Sequence, residues 1–368
     1  MISPCRLPVR FLPLLLAASI GLFGCGPADG GAPDGGIEGV SLPEPPAWGT
    51  AYLDAGPVGE YVGQPLPGDV PELFAPGFIT TGHYTRDVAM SPDGSELYFG
   101  ILLGRASTIM ETHRGADGRW SRPQVASFAT DPRFFHLEPA MAPDGGRLMF
   151  LSTRVEGRDP EPEEIQAWVN QDIWVVDREG EGWGEPYNLG PPVNSEESEF
   201  FPSITSDGTL YFTRAPTDGS GSYIYRSRLE EGVYQEPERL GPEVNATANQ
   251  FNAFIAPDES YIIVCAGGRE NGLAATDYLI SFRSPDDSWV GPINMGEVVN
   301  EPGGAGGFSP YVSPDGRYFF FMSTRPVADP SRLTAEFLWD LRVAPENGNA
   351  DIYWMDAGFI EELRPAGF

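Results

Sequence analysis

The sequence predicts an all-β fold, a β-propeller of five four-stranded blades, on two recurring motifs and the constant spacing between them. The first motif is a hairpin. Residues 202–214, PSITSDGTLYFTR, read as a short apolar strand, a Ser206-Asp207-Gly208 turn and a second strand rich in aromatic and β-branched residues. Related stretches begin at Met90, Met141, Ile255 and Val312, so the turn residues Asp93, Asp144, Asp207, Asp258 and Asp315 follow one another at intervals of 51, 63, 51 and 57 residues. Self-similarity at that period marks a repeat architecture. The second motif is an aromatic residue followed at three positions by proline: Trp120–Pro123, Trp183–Pro186, Tyr234–Pro237 and Trp289–Pro292. Each proline stands 21, 21, 21 and 23 residues before the next turn Asp, a phasing that chance does not produce.

Taken in order, each period supplies the hairpin, then a third strand such as 172–176 or 223–225, then an outer strand running from the aromatic to the proline. Proline suits that outer edge, where a missing N–H removes no ladder bond. An Asn after Val (Asn194, Asn245, Asn300) precedes the next hairpin. Four short antiparallel strands per unit bury their faces only against neighbouring units, which is the logic of propeller blades.

These residues resemble the WD40-like propeller repeat of Tol-associated periplasmic proteins, often called the PD40 repeat after its Pro-Asp turn. The resemblance spans roughly residues 71–365 and implies fold far more than function. Two segments resemble a further outer strand, 71–78 and 359–365, and one of them is expected to pair with the last blade and close the ring, leaving no open edge. A sixth blade is the alternative, if the chain from Trp48 onward builds more than one strand.

Residues 1–24 read as a signal peptide: Arg6 and Arg10 precede an apolar run from Phe11 to Phe23, too short for the ~20 residues that cross a bilayer. Leu22-Phe23-Gly24-Cys25 resembles a bacterial lipobox, which implies lipidation at Cys25 and anchoring in the outer membrane, facing the periplasm or the surface. Residues 25–65, rich in Gly, Pro and Asp, read as a flexible tether, and 66–368 as the propeller.

The chain has 53 acidic residues against 23 basic ones, all of them Arg, for a net charge of −30. Nucleic acid and anionic membrane surfaces are therefore excluded as partners, and membrane contact is expected through the lipid anchor only. Cys5, Cys25 and Cys265 cannot build a disulfide framework, and Cys265 sits in an apolar strand as a small core residue. His83, His113 and His136 have no ligand at metal-binding spacing, so no metal or cofactor is expected; the acidic stretch 194–199 is the one candidate for Ca²⁺.

The hairpin turns and the Gly turns before each aromatic residue are short, whereas the opposite face carries the long connections 155–170, 267–276 and 326–350, the last with a helix-compatible stretch. Function is expected on that long-loop face. Its candidate binding residues are Phe134, Phe135 and His136 in the approach to the second blade. An Arg ends the second strand of every blade (Arg105, Arg154, Arg214, Arg269, Arg325), and these five either ring the channel mouth for an anionic ligand or pair with carboxylates of their own blades. Asp87 and Glu138, each six residues before a turn Asp, with Glu199 as a looser third, are the candidate catalytic carboxylates, because Phe201, Asn252 and Ser309 hold the equivalent positions in the other blades. The expectation is a monomeric, non-catalytic envelope lipoprotein that binds a protein or glycan. The alternative is a secreted glycoside hydrolase or lyase acting through those three acids.

Overall fold

In every described hairpin the turn Asp makes the same bond: its Oδ1 accepts the backbone N–H two residues on, at 3.0, 2.8, 3.0, 3.0 and 3.1 Å for Asp93, Asp144, Asp207, Asp258 and Asp315. This Asx turn is why Asp recurs there. The next residue lies in the left-handed region and is Gly in four hairpins; in the fourth blade Glu259 takes the position, at φ 58°. The computed structural model describes residues 56–304, 306–324 and 334–366. Cys25, the signal segment, most of the tether and Arg325 lie outside the described residues.

Five four-stranded antiparallel blades follow. Blade 1 comprises Tyr84–Met90, Glu96–Leu103, Ala106–His113 and Gln124–Val125. Blade 2 comprises His136–Met141, Arg147–Ser152, Asp172–Glu179 and Tyr187–Asn188. Blade 3 comprises Ser198–Ile204, Leu210–Ala215, Tyr223–Ser227 and Glu238–Arg239. Blade 4 comprises Gln250–Ile255, Tyr261–Gly267, Thr276–Arg283 and Trp289–Asn294. Blade 5 comprises Gly307–Val312, Tyr318–Ser323 and Asp351–Asp356, and takes its outer strand, Glu72–Leu73, from the start of the domain. The amino-terminal candidate thus closes the ring, with Glu72 opposite Trp354 and Leu73 opposite Tyr353. The carboxy-terminal candidate is instead a helical turn, Phe359–Glu362, that buries Ile360 against the core.

The aromatic-to-proline motif divides differently from the expected single strand. In blades 2 and 3 the aromatic ends a two-residue ribbon, Gly182–Trp183 or Val233–Tyr234, and the outer strand begins only after the proline. In blade 4 one strand holds both Trp289 and Pro292. Residues near 56–64, expected within the tether, pack on the propeller: Gly59 carbonyl accepts from Trp120 Nε1 at 2.7 Å, and Val62 is buried.

The repeated Asn is a backbone surrogate. Asn194, Asn245 and Asn300 accept from the N–H of Ile173, Ile224 and Tyr278 at 3.0, 2.8 and 2.7 Å, and donate from Nδ2 to the carbonyl of the same residue at 2.8, 3.0 and 3.0 Å. Each pins the connection between blades to a third strand, satisfying an N–H and adding a second donor to a carbonyl that already accepts from Leu189, Leu240 or Met295 N–H; an N–H left unmade costs about 1–3 kcal/mol.

Apolar cores fill the spaces between adjacent blades. Between blades 5 and 1, Phe74, Phe320 and Trp354 pack with ring centroids 5.0–5.6 Å apart. Ion pairs tie other neighbours: Arg178 to Glu96 at 2.7 Å across blades 2 and 1, and Arg226 to Asp287 at 2.9 Å across blades 3 and 4. The helix Ala335–Leu341 forms within the last long connection, with Thr334 Oγ1 accepting from Phe337 N–H as its N-cap.

Candidate binding site

The innermost strand of every blade carries a β-bulge at one position. Asp87, Glu138, Phe201, Asn252 and Ser309 all have positive φ, between 50° and 60°, and the pairing register shifts across each of them. A left-handed non-glycine residue costs on the order of 1–3 kcal/mol and persists only where its surroundings hold it. The bulge leaves the next N–H out of the ladder, and proline follows in three blades, as Pro139, Pro202 and Pro310.

The surroundings that hold two of these residues form one network at the channel axis. Arg86 Nε donates to Asp87 Oδ1 at 3.0 Å, and its Nη2 donates to Glu138 Oε1 at 2.7 Å and to Ser309 Oγ at 3.3 Å. Ser309 Oγ donates to Asp87 Oδ1 at 2.5 Å. Backbone N–H groups complete it: Glu138 N–H donates to Asp87 Oδ2 at 3.1 Å, and Phe201 N–H to Glu138 Oε2 at 2.8 Å. Blades 5, 1, 2 and 3 are thereby stitched together at one level. Both carboxylates are buried, with side-chain exposures of 2% and 4%. Burial pushes the Glu138 carboxyl up to about 7, with the Arg86 charge pulling against it and the Asp87 charge adding to it. Burial works against the Arg86 guanidinium, but the charges of Asp87 and Glu138 outweigh it and hold the group protonated.

Above this network lies a cavity of about 300 Å³. Asp87, Glu138, Phe201 and Ser309 line its deep end, and Val88, Met90, Ile204, Phe254 and Tyr311 are among its apolar walls. Its rim is formed by the residue before each turn Asp, namely Pro92, Pro143, Ser206, Pro257 and Pro314. The cavity therefore opens on the short-turn face, opposite the face where the long loops led function to be expected. A second groove of about 690 Å³ lies between blades 2 and 3, past Arg147, Tyr187 and Tyr234.

Of the three candidate acids, Asp87 and Glu138 meet in the cavity and Glu199 does not. Glu199 is fully buried in blade 3, where Arg214 Nε donates to it at 2.8 Å and Ser195 Oγ at 2.5 Å. Burial raises its carboxyl, against the Ser195 bonds and the Arg214 charge. With Asn194 also turned inward, the 194–199 stretch keeps few of the oxygens a Ca²⁺ site requires. Among the described residues no group of three or more His, Cys, Asp or Glu side chains is arranged to hold a metal.

None of the four described strand-ending arginines lines the channel cavity. Arg105 is exposed in a turn, Arg154 lies over the Trp174 ring at 5.6 Å, Arg214 pairs with Glu199, and Arg269 stands 3.9 Å from Asp277. Phe134, Phe135 and His136 are buried; Phe135 packs on Trp168, and His136 takes Ser152 Oγ at 3.1 Å as a partner. Burial, aided by the Arg154 charge, lowers the His136 imidazole to about 3, so it is neutral at ordinary pH. Cys265 is a buried free thiol whose pKa burial raises far above its usual value.

Arg86, in the first blade's entry beside Asp87, is the functional residue to which motif reading assigned no role. A signal existed: counting back from the turn Asp, the equivalents of Arg86 are Leu137, Phe200, Phe251 and Phe308, so it is a lone cation in an otherwise apolar series.

No family model matches the sequence, and no curated protein matches it. Among solved structures, the chain is similar to TolB from Acinetobacter baumannii at 13% identity and a TM-score of 0.40, covering 74% of this chain and 57% of that one, so it spans little more than half of TolB. It is similar to a glycoside hydrolase at 11% identity and a TM-score of 0.49, covering 86% and 95% of the two chains. It is also similar to an endo-arabinanase from Bacillus licheniformis at 14% identity and a TM-score of 0.41, covering 74% and 93%.

Proposed function

We propose that this protein is a non-catalytic binding propeller, lipid-anchored in the bacterial outer membrane through Cys25, that takes a protein or glycan partner at the mouth of its central cavity. One observation carries the non-catalytic reading: Asp87, the carboxylate left to attack or to activate water beside a protonated Glu138, is already held by Arg86 Nε, Ser309 Oγ and the Glu138 N–H. Glycoside hydrolysis requires one carboxyl free to give up a proton and another free to attack the sugar or activate water. With Glu199 sequestered in blade 3, no third acid among the described residues lines the cavity.

A second reading places the partner on the long-loop face, favoured by two exposed indoles there, Trp168 at 45% and Trp339 at 64% exposure. Photocrosslinking in cells separates the two. A benzophenone amino acid at exposed Ser206, on the cavity rim, is expected to yield a covalent adduct, and the same probe at Trp168 none. Adducts from Trp168 alone would move the partner to the long-loop face, and adducts from neither would contradict the binding reading.

A further inference from the structure

We propose that the central cavity is a receptor for a primary ammonium on an apolar stem, an alkylamine or lysine-like group whose nitrogen sits on Asp87 and Glu138. This deepens the binding reading above and rests on it. Three observations carry it.

The first is the distribution of charge. Two carboxylates share one guanidinium, which leaves one negative charge uncompensated in a buried setting, where an unpaired charge is costly. The second is which groups the cavity meets. Both acids and Ser309 are among the residues that line it, and Arg86 is not. The network bonds described above leave acceptor capacity on three of the four oxygens, Asp87 Oδ2 and both of Glu138, since each takes one donor and a carboxylate oxygen accepts about two. These open positions belong to two different residues, which suits a compact tetrahedral donor better than a planar fork made for one carboxylate. The third is the wall. From the floor to the rim of prolines it is built of Val88, Met90, Ile204, Phe254 and Tyr311, apolar surface that favours a hydrocarbon stem. At ~30 Å³ per water-sized group, the cavity has room for roughly ten non-hydrogen atoms.

The ring also holds an unsatisfied polar group. Asn252, at the bulge between Phe201 and Ser309 in ring order, is 2% exposed, and its amide nitrogen has no partner among the described residues. A proton on Glu138 relieves the excess charge when the cavity is empty, and an ammonium would displace it, with Arg86, Asp87, Ser309 Oγ and Phe201 N–H the groups facing that carboxyl. Binding therefore tightens as pH rises through 7.

Calorimetric titration of the full chain at pH 8 with hexylamine, hexanol and hexylguanidine tests this. Hexylamine is expected to bind at least tenfold tighter than either of the others. Glu138→Gln is expected to remove that preference, weakening hexylamine about tenfold and leaving hexanol unchanged. Ala140→Phe, which places a ring in the cavity wall and keeps both acids, is expected to abolish binding of both and covers the case in which Glu138→Gln does not fold. Equal affinity for the amine and the alcohol, or tighter binding of the guanidine, overturns the proposal. If the Ser206 adduct forms while amine and alcohol bind alike, this inference falls and the binding reading stands; amine selectivity without any adduct keeps the cavity as a receptor and removes the macromolecular partner from its mouth.

Discussion

Arg86→Met is expected to destabilise the protein by about 3–5 kcal/mol, the penalty for removing one partner of a buried ionic network. The guanidinium is the sole cation bonded to Asp87 and Glu138 among the described residues, and it also reaches Ser309, so its loss unties blades 5, 1 and 2 at the axis. The loss should grow with pH, and the sign follows from Glu138. Its folded pKa, about 7, lies above its unfolded value, so the stability tied to this group is fully present below the unfolded value and is lost as pH rises through 7. Without Arg86 the carboxyl is raised further, and the variant should be weaker at pH 8 than at pH 5. Adding Asp87→Asn and Glu138→Gln to Arg86→Met should recover most of the deficit. Urea unfolding at the two pH values measures all of this; a change under about 1 kcal/mol for Arg86→Met would show that the network does not hold the ring.

Phe74→Ala is expected to cost about 3–5 kcal/mol as a large-to-small change in a closed core. Phe74 is fully buried, with its ring 5.0 Å from Phe320 and 5.2 Å from Trp354, directly after the strand that completes blade 5. The damage should exceed a lost side chain, because loosening 72–74 also exposes the outer edge of the Asp351–Asp356 strand. Phe359→Ala, in the carboxy-terminal helical turn, is the control. Phe359 is only partly buried and lies on Phe319 at 5.9 Å, so its loss should be the smaller of the two. Thermal unfolding of both variants checks the order, and a larger effect at Phe359 would assign the closure to the other terminus.

Much of the architecture was legible because it is local and repeated. The turn Asp, the left-handed residue after it and the Asn after Val each act within a few residues or on the neighbouring strand of the same blade, so five copies of the turn and three of the Asn expose them. Asp87 and Glu138 also stood out in the sequence, since they interrupt a series otherwise filled by Phe201, Asn252 and Ser309. What could not be read was its chemistry. That all five positions bulge into the left-handed region is a backbone property with no common residue type to announce it. Arg86 reaches Glu138 across 52 positions and Ser309 across 223, contacts that exist only once the ring is closed. Loop length pointed to the opposite face for a similar reason. A concavity on the axis is made by short turns standing together, and no single blade contains it. The strand-ending arginines illustrate the converse, a regular motif whose described members settle locally: Arg154 over Trp174, Arg214 on Glu199, Arg269 near Asp277.

We propose that Asp87 and Glu138, clamped by one arginine, make the channel a place of binding and not of bond cleavage. Release of reducing ends from a broad polysaccharide panel, compared between the protein and its Asp87→Asn, Glu138→Gln double variant, tests it most directly. No release above that of the double variant is expected at any pH from 5 to 8. Release that is present in the protein and absent from the double variant would contradict it, and would make the Arg86 clamp part of a catalytic apparatus.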